Sequence, residues 1–147
     1  VLSDKFKVHD IHRVYTAIVY NQFATDEGTI DKPIARHKTD RKKMAIDPNG
    51  RHAVTHYRVI ERLKQNFSLV ECELETGRTH QIRVHMASIN HPLLGDEVYG
   101  PKQKPFATQG QVLHAGVLGF DHPITGEYME WHAELPDYFQ NILKKLR

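Results

Sequence analysis

The chain has 147 residues, 39% hydrophobic and 26% charged, with a formal net charge of +2. That length supports one buried core, and the mix excludes collagen-like, low-complexity and wholly disordered chains. No apolar run approaches the roughly 20 residues that cross a bilayer, the opening Val1-Leu2-Ser3-Asp4-Lys5 does not read as a signal peptide, and a single cysteine, Cys72, excludes an internal disulfide or a cysteine zinc cage. A soluble, cytoplasmic protein with no membrane partner is expected, and a start at Val1 rather than Met fits a piece of something longer.

Val14–Val19 is rich in β-branched and aromatic residues, which predicts a strand. Thr25-Asp26-Glu27-Gly28 supplies a turn and Thr29–Ile34 a short extended piece. The stretch that follows carries Arg36, Lys38, Arg41, Lys42 and Lys43, with His37 beside them and only Asp40 opposing. It has neither a helical nor a strand period and reads as an exposed loop. Asp47-Pro48-Asn49-Gly50 is a turn signal. Ala53–Leu63 and Phe67–Leu74 then form an antiparallel hairpin, the second strand alternating Val70, Cys72 and Leu74 with Glu71 and Glu73.

Thr76-Gly77-Arg78-Thr79-His80 breaks the pattern and opens a helix with Ile82, Met86 and Ile89 on one face, ending at Asn90. Leu93 to Gly110 reads as loop. Val112–Leu118 and Glu127–Ala133 predict a second antiparallel pair around Pro123-Ile124-Thr125-Gly126, with Met129, Trp131 and Ala133 on one face. Pro136-Asp137 starts a last helix whose stripe is Phe139, Ile142, Leu143 and Leu146. The fold class is α+β, a largely antiparallel mixed sheet with flanking helices.

The densest polar cluster is 76–85. Glycine at a strand-to-helix turn lets the backbone approach a ligand, a helix N-terminus favours anions, and Arg78 could hold a carboxylate or phosphate in two parallel bonds. A capped helix with a solvated Arg and His face explains the same residues. Tyr15 in a strand fits core packing as well as a site, and the basic stretch fits a solvated loop as well as a nucleic-acid contact. Of the 11 histidines, His52 with His56 and His80 with His85 lack the spacing of a metal site, and Ser3, Ser68 and Ser88 lie in no nucleophile elbow.

Leu74-Glu75-Thr76-Gly77-Arg78-Thr79-His80-Gln81-Ile82-Arg83-Val84-His85, followed by His91-Pro92-Leu93-Leu94-Gly95-Asp96-Glu97-Val98-Tyr99-Gly100, resembles the hallmark of the RluA-type RNA pseudouridine synthases. Arg13-Val14-Tyr15-Thr16-Ala17-Ile18-Val19 resembles that family's Lys-x-Tyr-x-Ala-x-Val strand, and Leu113-His114-Ala115 and Phe120-Asp121-His122-Pro123 its final strands. The resemblance implies isomerisation of uridine to pseudouridine in structured ribosomal or transfer RNA, on part of the pseudouridine synthase catalytic fold, without metal or nucleotide cofactor. It assigns Tyr15 to stacking on the extruded base and Arg78 to the partner of the catalytic aspartate. Ile82 matches an apolar wall, and Arg36, Lys38, Arg41, Lys42 and Lys43 would contact phosphates.

The family's His-Arg-Leu-Asp-x-x-Thr-Ser-Gly motif, which carries the nucleophilic aspartate, does not occur in these 147 residues. The chain is therefore expected to be the C-terminal part of the catalytic domain, inactive alone and able to self-associate through an exposed sheet edge. The alternatives are a non-catalytic RNA-binding module of the same fold and, further off, a histidine-dependent metal hydrolase.

Overall fold

A computed structural model describes residues 12–101, 110–121, 128–132 and 134–147. Its backbone is organised by the two-residue period of β1 (His12–Tyr20). Ala17 and Val19 enter one buried cluster and Ile18 enters another, so the strand feeds both faces of its sheet. β6 (Phe67–Leu74) does the same, with Val70, Cys72 and Leu74 on the first face and Phe67 and Leu69 on the second. These two are central strands, covered on both sides, which is why apolar residues dominate them.

The other strands are β2 (Glu27–Asp31), β3 (Ile34–Arg36), β4 (Met44–Ile46), β5 (Val54–Arg62), β7 (Leu113–Asp121) and β8 (Tyr128–His132). The main sheet has the order β2-β5-β6-β1-β7-β8, and every pairing in it is antiparallel. The largely antiparallel sheet with flanking helices expected from the sequence is present, and every pairing among its described strands is antiparallel. Helix α1 (Gln81–Ser88) lays Ile82 and Met86 on the first face. Helix α2 (Asp137–Leu146) lays Phe139, Ile142, Leu143 and Leu146 on the second, as its stripe predicts. No helix among the described residues is long and apolar enough to cross a membrane.

Two stretches read as loop are more ordered than that. Ile34–Arg36 and Met44–Ile46 pair as a separate two-stranded hairpin, so the basic stretch is the tip of a β-ribbon. Its apolar anchor is Ile34, packed with Ala53 and Val84, with Met44 and Tyr99 against them. Three-residue strands beside a run of cations give no readable alternation.

The start of the 93–110 stretch is core. Leu93 and Leu94 are fully buried on opposite faces, as adjacent residues of a strand would be. Leu94 N–H donates to Ile18 O (2.9 Å) and Val112 N–H to Leu94 O (2.8 Å), which threads this segment alongside β1. Gly95 then leaves it with φ of 82°, a conformation glycine adopts without steric cost. The turn expected at 123–126 and the side chains of Met129, Trp131 and Ala133 lie outside the described residues.

Candidate active site

The turn between β6 and α1 is built by one buried amide. Gln81, 3% exposed, accepts the Thr76 hydroxyl (2.7 Å) and the Arg78 backbone N–H (3.0 Å) on Oε1. Its Nε2 donates to Val54 O (2.9 Å) and Thr55 Oγ1 (3.0 Å) on β5. With Oε1 and both amide hydrogens engaged, the turn is locked to the sheet. Arg78 is fixed further by its Nε, which donates to His52 O at 2.8 Å. Its terminal nitrogens make no hydrogen bond to any described residue.

Above this turn lies a cavity of about 310 Å³, at the small end of ligand pockets, roughly 300–1,000 Å³. Tyr15, Arg78 and Ile82 all line it, together with Arg13, His80 and Arg83. Tyr15 arrives from β1, where the pairing with β7 slips between Val14 and Tyr15, so that Gly116 is the extra residue of a bulge. Bulges re-aim the side chains beside them, and this one sits beside the cavity's aromatic ring. No described lining residue is a carboxylate.

The opposite wall is held by a buried ion pair. Arg83 on α1 donates through Nε to Asp96 Oδ2 (2.8 Å) and through Nη2 to Oδ1 (3.1 Å). Asp96, 1% exposed, also accepts the Val98 and Tyr99 backbone N–H groups. Burial pushes its carboxyl up, but the Arg83 hydrogen bond, the two amides and the nearby positive charge outweigh burial and hold it below the usual carboxylate range. The Arg83 guanidinium also lies 5.1 Å from the centre of the Tyr99 ring, in cation–π range.

Tyr99 connects the basic hairpin to the cavity. Its hydroxyl accepts the Met44 N–H at 2.8 Å and lies 2.7 Å from His80 Nδ1. The hydroxyl can give its own proton to Nδ1, an arrangement that suits a neutral His80 ring with its proton on Nε2. Burial, the Arg83 charge and the Arg36 charge lower the His80 pKa, with Asp96 opposing, so the neutral form is favoured. His80 holds a left-handed backbone, φ 54°, at the N-cap of α1. Strain of that kind costs on the order of 1–3 kcal/mol and persists where the surroundings over-determine it.

A family model described as RNA pseudouridylate synthase matches residues 1–88. The chain belongs to the RNA pseudouridylate synthase family. It is 56% identical, over 93% of its length, to an uncharacterized RNA pseudouridine synthase of Bacillus subtilis strain 168, covering 45% of that protein. It is 50% identical, over 99% of its length, to the ribosomal large subunit pseudouridine synthase D of Zymomonas mobilis, covering 48% of it. The chain thus spans about half the length of these curated relatives. Its fold matches human RNA pseudouridylate synthase domain containing 1 with a TM-score of 0.81 and 28% identity, covering 96% of this chain and 60% of that one.

Within this member of the RNA pseudouridylate synthase family, the basic stretch stands apart from the cavity lining. Arg36 Nη1 donates to Arg41 O (2.7 Å) and Arg41 Nη1 to His37 O (3.2 Å), so both guanidiniums brace the hairpin tip. His37 Nδ1 accepts the Thr39 and Asp40 N–H groups (3.2 and 2.9 Å). Lys38 and Lys42 are exposed and Lys43 half-buried.

The histidines weighed as metal ligands are taken up elsewhere. His85 is fully buried, accepting the Thr55 hydroxyl on Nδ1 (2.8 Å) and donating from Nε2 to Lys32 O (2.8 Å). His56 pairs with Glu75, and His52 lies 3.7 Å from Asp31. Among the described residues no three His, Cys, Asp or Glu side chains group as a metal site. Sequence reasoning missed Arg13, His80 and Arg83 as cavity residues. For Arg13 a signal existed: it lies two positions before Tyr15 in one strand, hence on the same face.

Proposed function

We propose that this chain is the C-terminal part of a pseudouridine synthase catalytic domain, and that its cavity receives a uridine extruded from structured ribosomal or transfer RNA. The observation that supports this best is the convergence of Tyr15, Arg78 and Ile82 on one small cavity. Each matches a residue of a single active site in the resemblance, and they come from β1, the turn after β6, and α1. Tyr15 offers a ring for the base to stack on and a phenol to assist loss of the C5 proton. Ile82 forms the apolar wall.

The reaction breaks the bond between C1′ and N1, turns the base, and forms a bond between C1′ and C5; the C5 proton leaves and N1 gains one. No atom is added or lost overall. The terminal nitrogens of Arg78 are unengaged by the described residues, so its guanidinium can keep a nucleophilic carboxylate ionised and oriented. Such a carboxylate lies in a motif these 147 residues do not contain. The exposed Lys38 and Lys42, with Lys43, would hold phosphates of the RNA as it crosses the hairpin tip, without reading sequence.

The test joins this chain to the preceding half of the Zymomonas mobilis relative and measures tritium release from C5-labelled uridine in ribosomal and transfer RNA. The 147-residue chain alone should release none, and the chimera should. Arg78→Met or Tyr15→Phe in the chimera should lower release by at least about 100-fold, the lower range for a positioned acid–base group. Full activity in the Arg78→Met chimera would end this reading. RNA binding without catalysis, the second reading, draws on the absence of a described carboxylate in the cavity. It predicts salt-sensitive RNA binding by the chain alone and an inactive chimera. We read the protein as cytoplasmic, where such RNA substrates are found. Self-association through β2 has little in its favour, since Glu27 and Asp31 place like charges along that edge.

A further inference from the structure

We propose that Arg13 is a phosphate-binding residue of the cavity, its guanidinium holding the phosphate attached to the uridine that enters. The proposal rests on the reading of the cavity as a uridine pocket. Arg13 stands on β1 two residues before Tyr15 and lines the same cavity. Its Nε is buried and has no hydrogen-bond partner. An unmatched charge beside a cavity is costly, and because Arg13 as a whole is half-buried and lines the cavity, an anion that enters can meet its guanidinium.

The neighbouring cations already have other work. Arg83 is neutralised by Asp96 in a two-pronged pair. Arg78 gives its Nε to His52 O and is the cation positioned for a carboxylate. His80 is neutral, and no described lining residue carries a negative charge. Arg13 is therefore a guanidinium with neither an anion nor a carbonyl acceptor for its Nε among the described residues.

Its slot is made by a glycine. A Cβ on Gly77 would fall inside van der Waals contact with Arg13 Nη1, so only a residue without a side chain lets the guanidinium lie there. A nucleotide drawn into the cavity brings its phosphate with it, and a planar guanidinium suits that group better than an ammonium does.

The test titrates the 147-residue chain with uridine, with uridine 5′- and 3′-monophosphate, and with inorganic phosphate, reading affinity by calorimetry and the Arg13 Nε–H resonance by NMR. One of the two nucleotides should bind at least about tenfold more tightly than uridine, the weight of one charge-assisted hydrogen bond, and should shift the Arg13 resonance. Arg13→Gln should abolish that preference. Gly77→Ala keeps every charge, crowds only the flexible end of Arg13, and should reduce the preference in the same direction, which guards against a misfolded Arg13→Gln. Equal affinity for uridine and both nucleotides overturns the role of Arg13 and leaves the uridine pocket standing. A preference that survives both substitutions places the phosphate on another residue and also overturns it. Binding of inorganic phosphate through Arg13 without binding of uridine overturns the nucleotide assignment, and no binding of any probe overturns the pocket along with the proposal.

Discussion

Asp96→Ala should be among the most destabilising single substitutions in this chain. The carboxylate accepts four hydrogen bonds, from Arg83 Nε and Nη2 and from the Val98 and Tyr99 amides. Its side chain is 0% exposed and that of Arg83 is 13% exposed, so little water can replace what is lost. Removing one partner of a buried pair leaves an uncompensated charge and costs about 3–5 kcal/mol. The slight exposure of Arg83 argues for the lower end, about 3 kcal/mol. Asp96→Asn keeps an oxygen for the two amides and loses the charge that faces Arg83, for about 1.5–3 kcal/mol, the worth of a hydrogen bond to a charged group.

The exposed pair of Arg62 and Asp26, 3.0 Å apart with side chains 46% and 80% exposed, is the internal control. Asp26→Ala should cost less than about 1 kcal/mol. Urea unfolding at pH 7, followed by far-ultraviolet circular dichroism, measures all three variants against the native chain. A loss below about 1 kcal/mol for Asp96→Ala would refute the reasoning, because it would make the buried pair no better than the exposed one. The acid limb provides a second check. Asp96 has a folded pKa below its unfolded value of 3.8, so the pair's contribution is present above that value and disappears as pH falls through the folded pKa.

Tyr99→Phe removes the hydroxyl that joins Met44 N–H to His80 Nδ1; it should cost about 1 kcal/mol and let the His80 proton move between ring nitrogens, visible in imidazole 15N shifts. His85 titrates below 6.5 in the folded chain because burial penalises its charged form. The unfolded chain then binds more protons between the folded value and 6.5, so stability should fall as pH drops through that window, with a shallower fall in His85→Gln; a flat profile from pH 7 to 5 would contradict this. Cys72 is fully buried, and burial followed by the Glu71 charge pushes its thiol up to about 12. It should resist a thiol reagent in the folded chain and react at once in denaturant, whereas fast labelling under native conditions would disprove its burial.

The sequence shows those parts of the fold that a short period governs. Alternation in β1 and β6 and the stripe of α2 are local, and each residue's neighbours along the chain state which face it takes. Arg13 and Tyr15 share a face for the same reason. The β3-β4 hairpin is not legible in this way, because three residues per strand hold too little pattern and its anchor, Ile34, packs with Ala53 and Val84 far along the chain. Leu93 and Leu94 are hidden by the glycines and prolines around them. Their burial depends on hydrogen bonds to β1 and Val112 that no local rule supplies.

The chemistry of the cavity divides along the same line. Residue types announce that Arg78, His80 and Arg83 could serve as donors, but their states depend on partners elsewhere in the chain. Asp96 neutralises Arg83, His52 O takes the Nε of Arg78, and the Tyr99 hydroxyl engages Nδ1 of His80. That hydroxyl is itself directed by Met44 N–H on the hairpin that bears Lys38, Lys42 and Lys43. The fold thus joins the cavity to the basic hairpin through two hydrogen bonds and one aromatic ring.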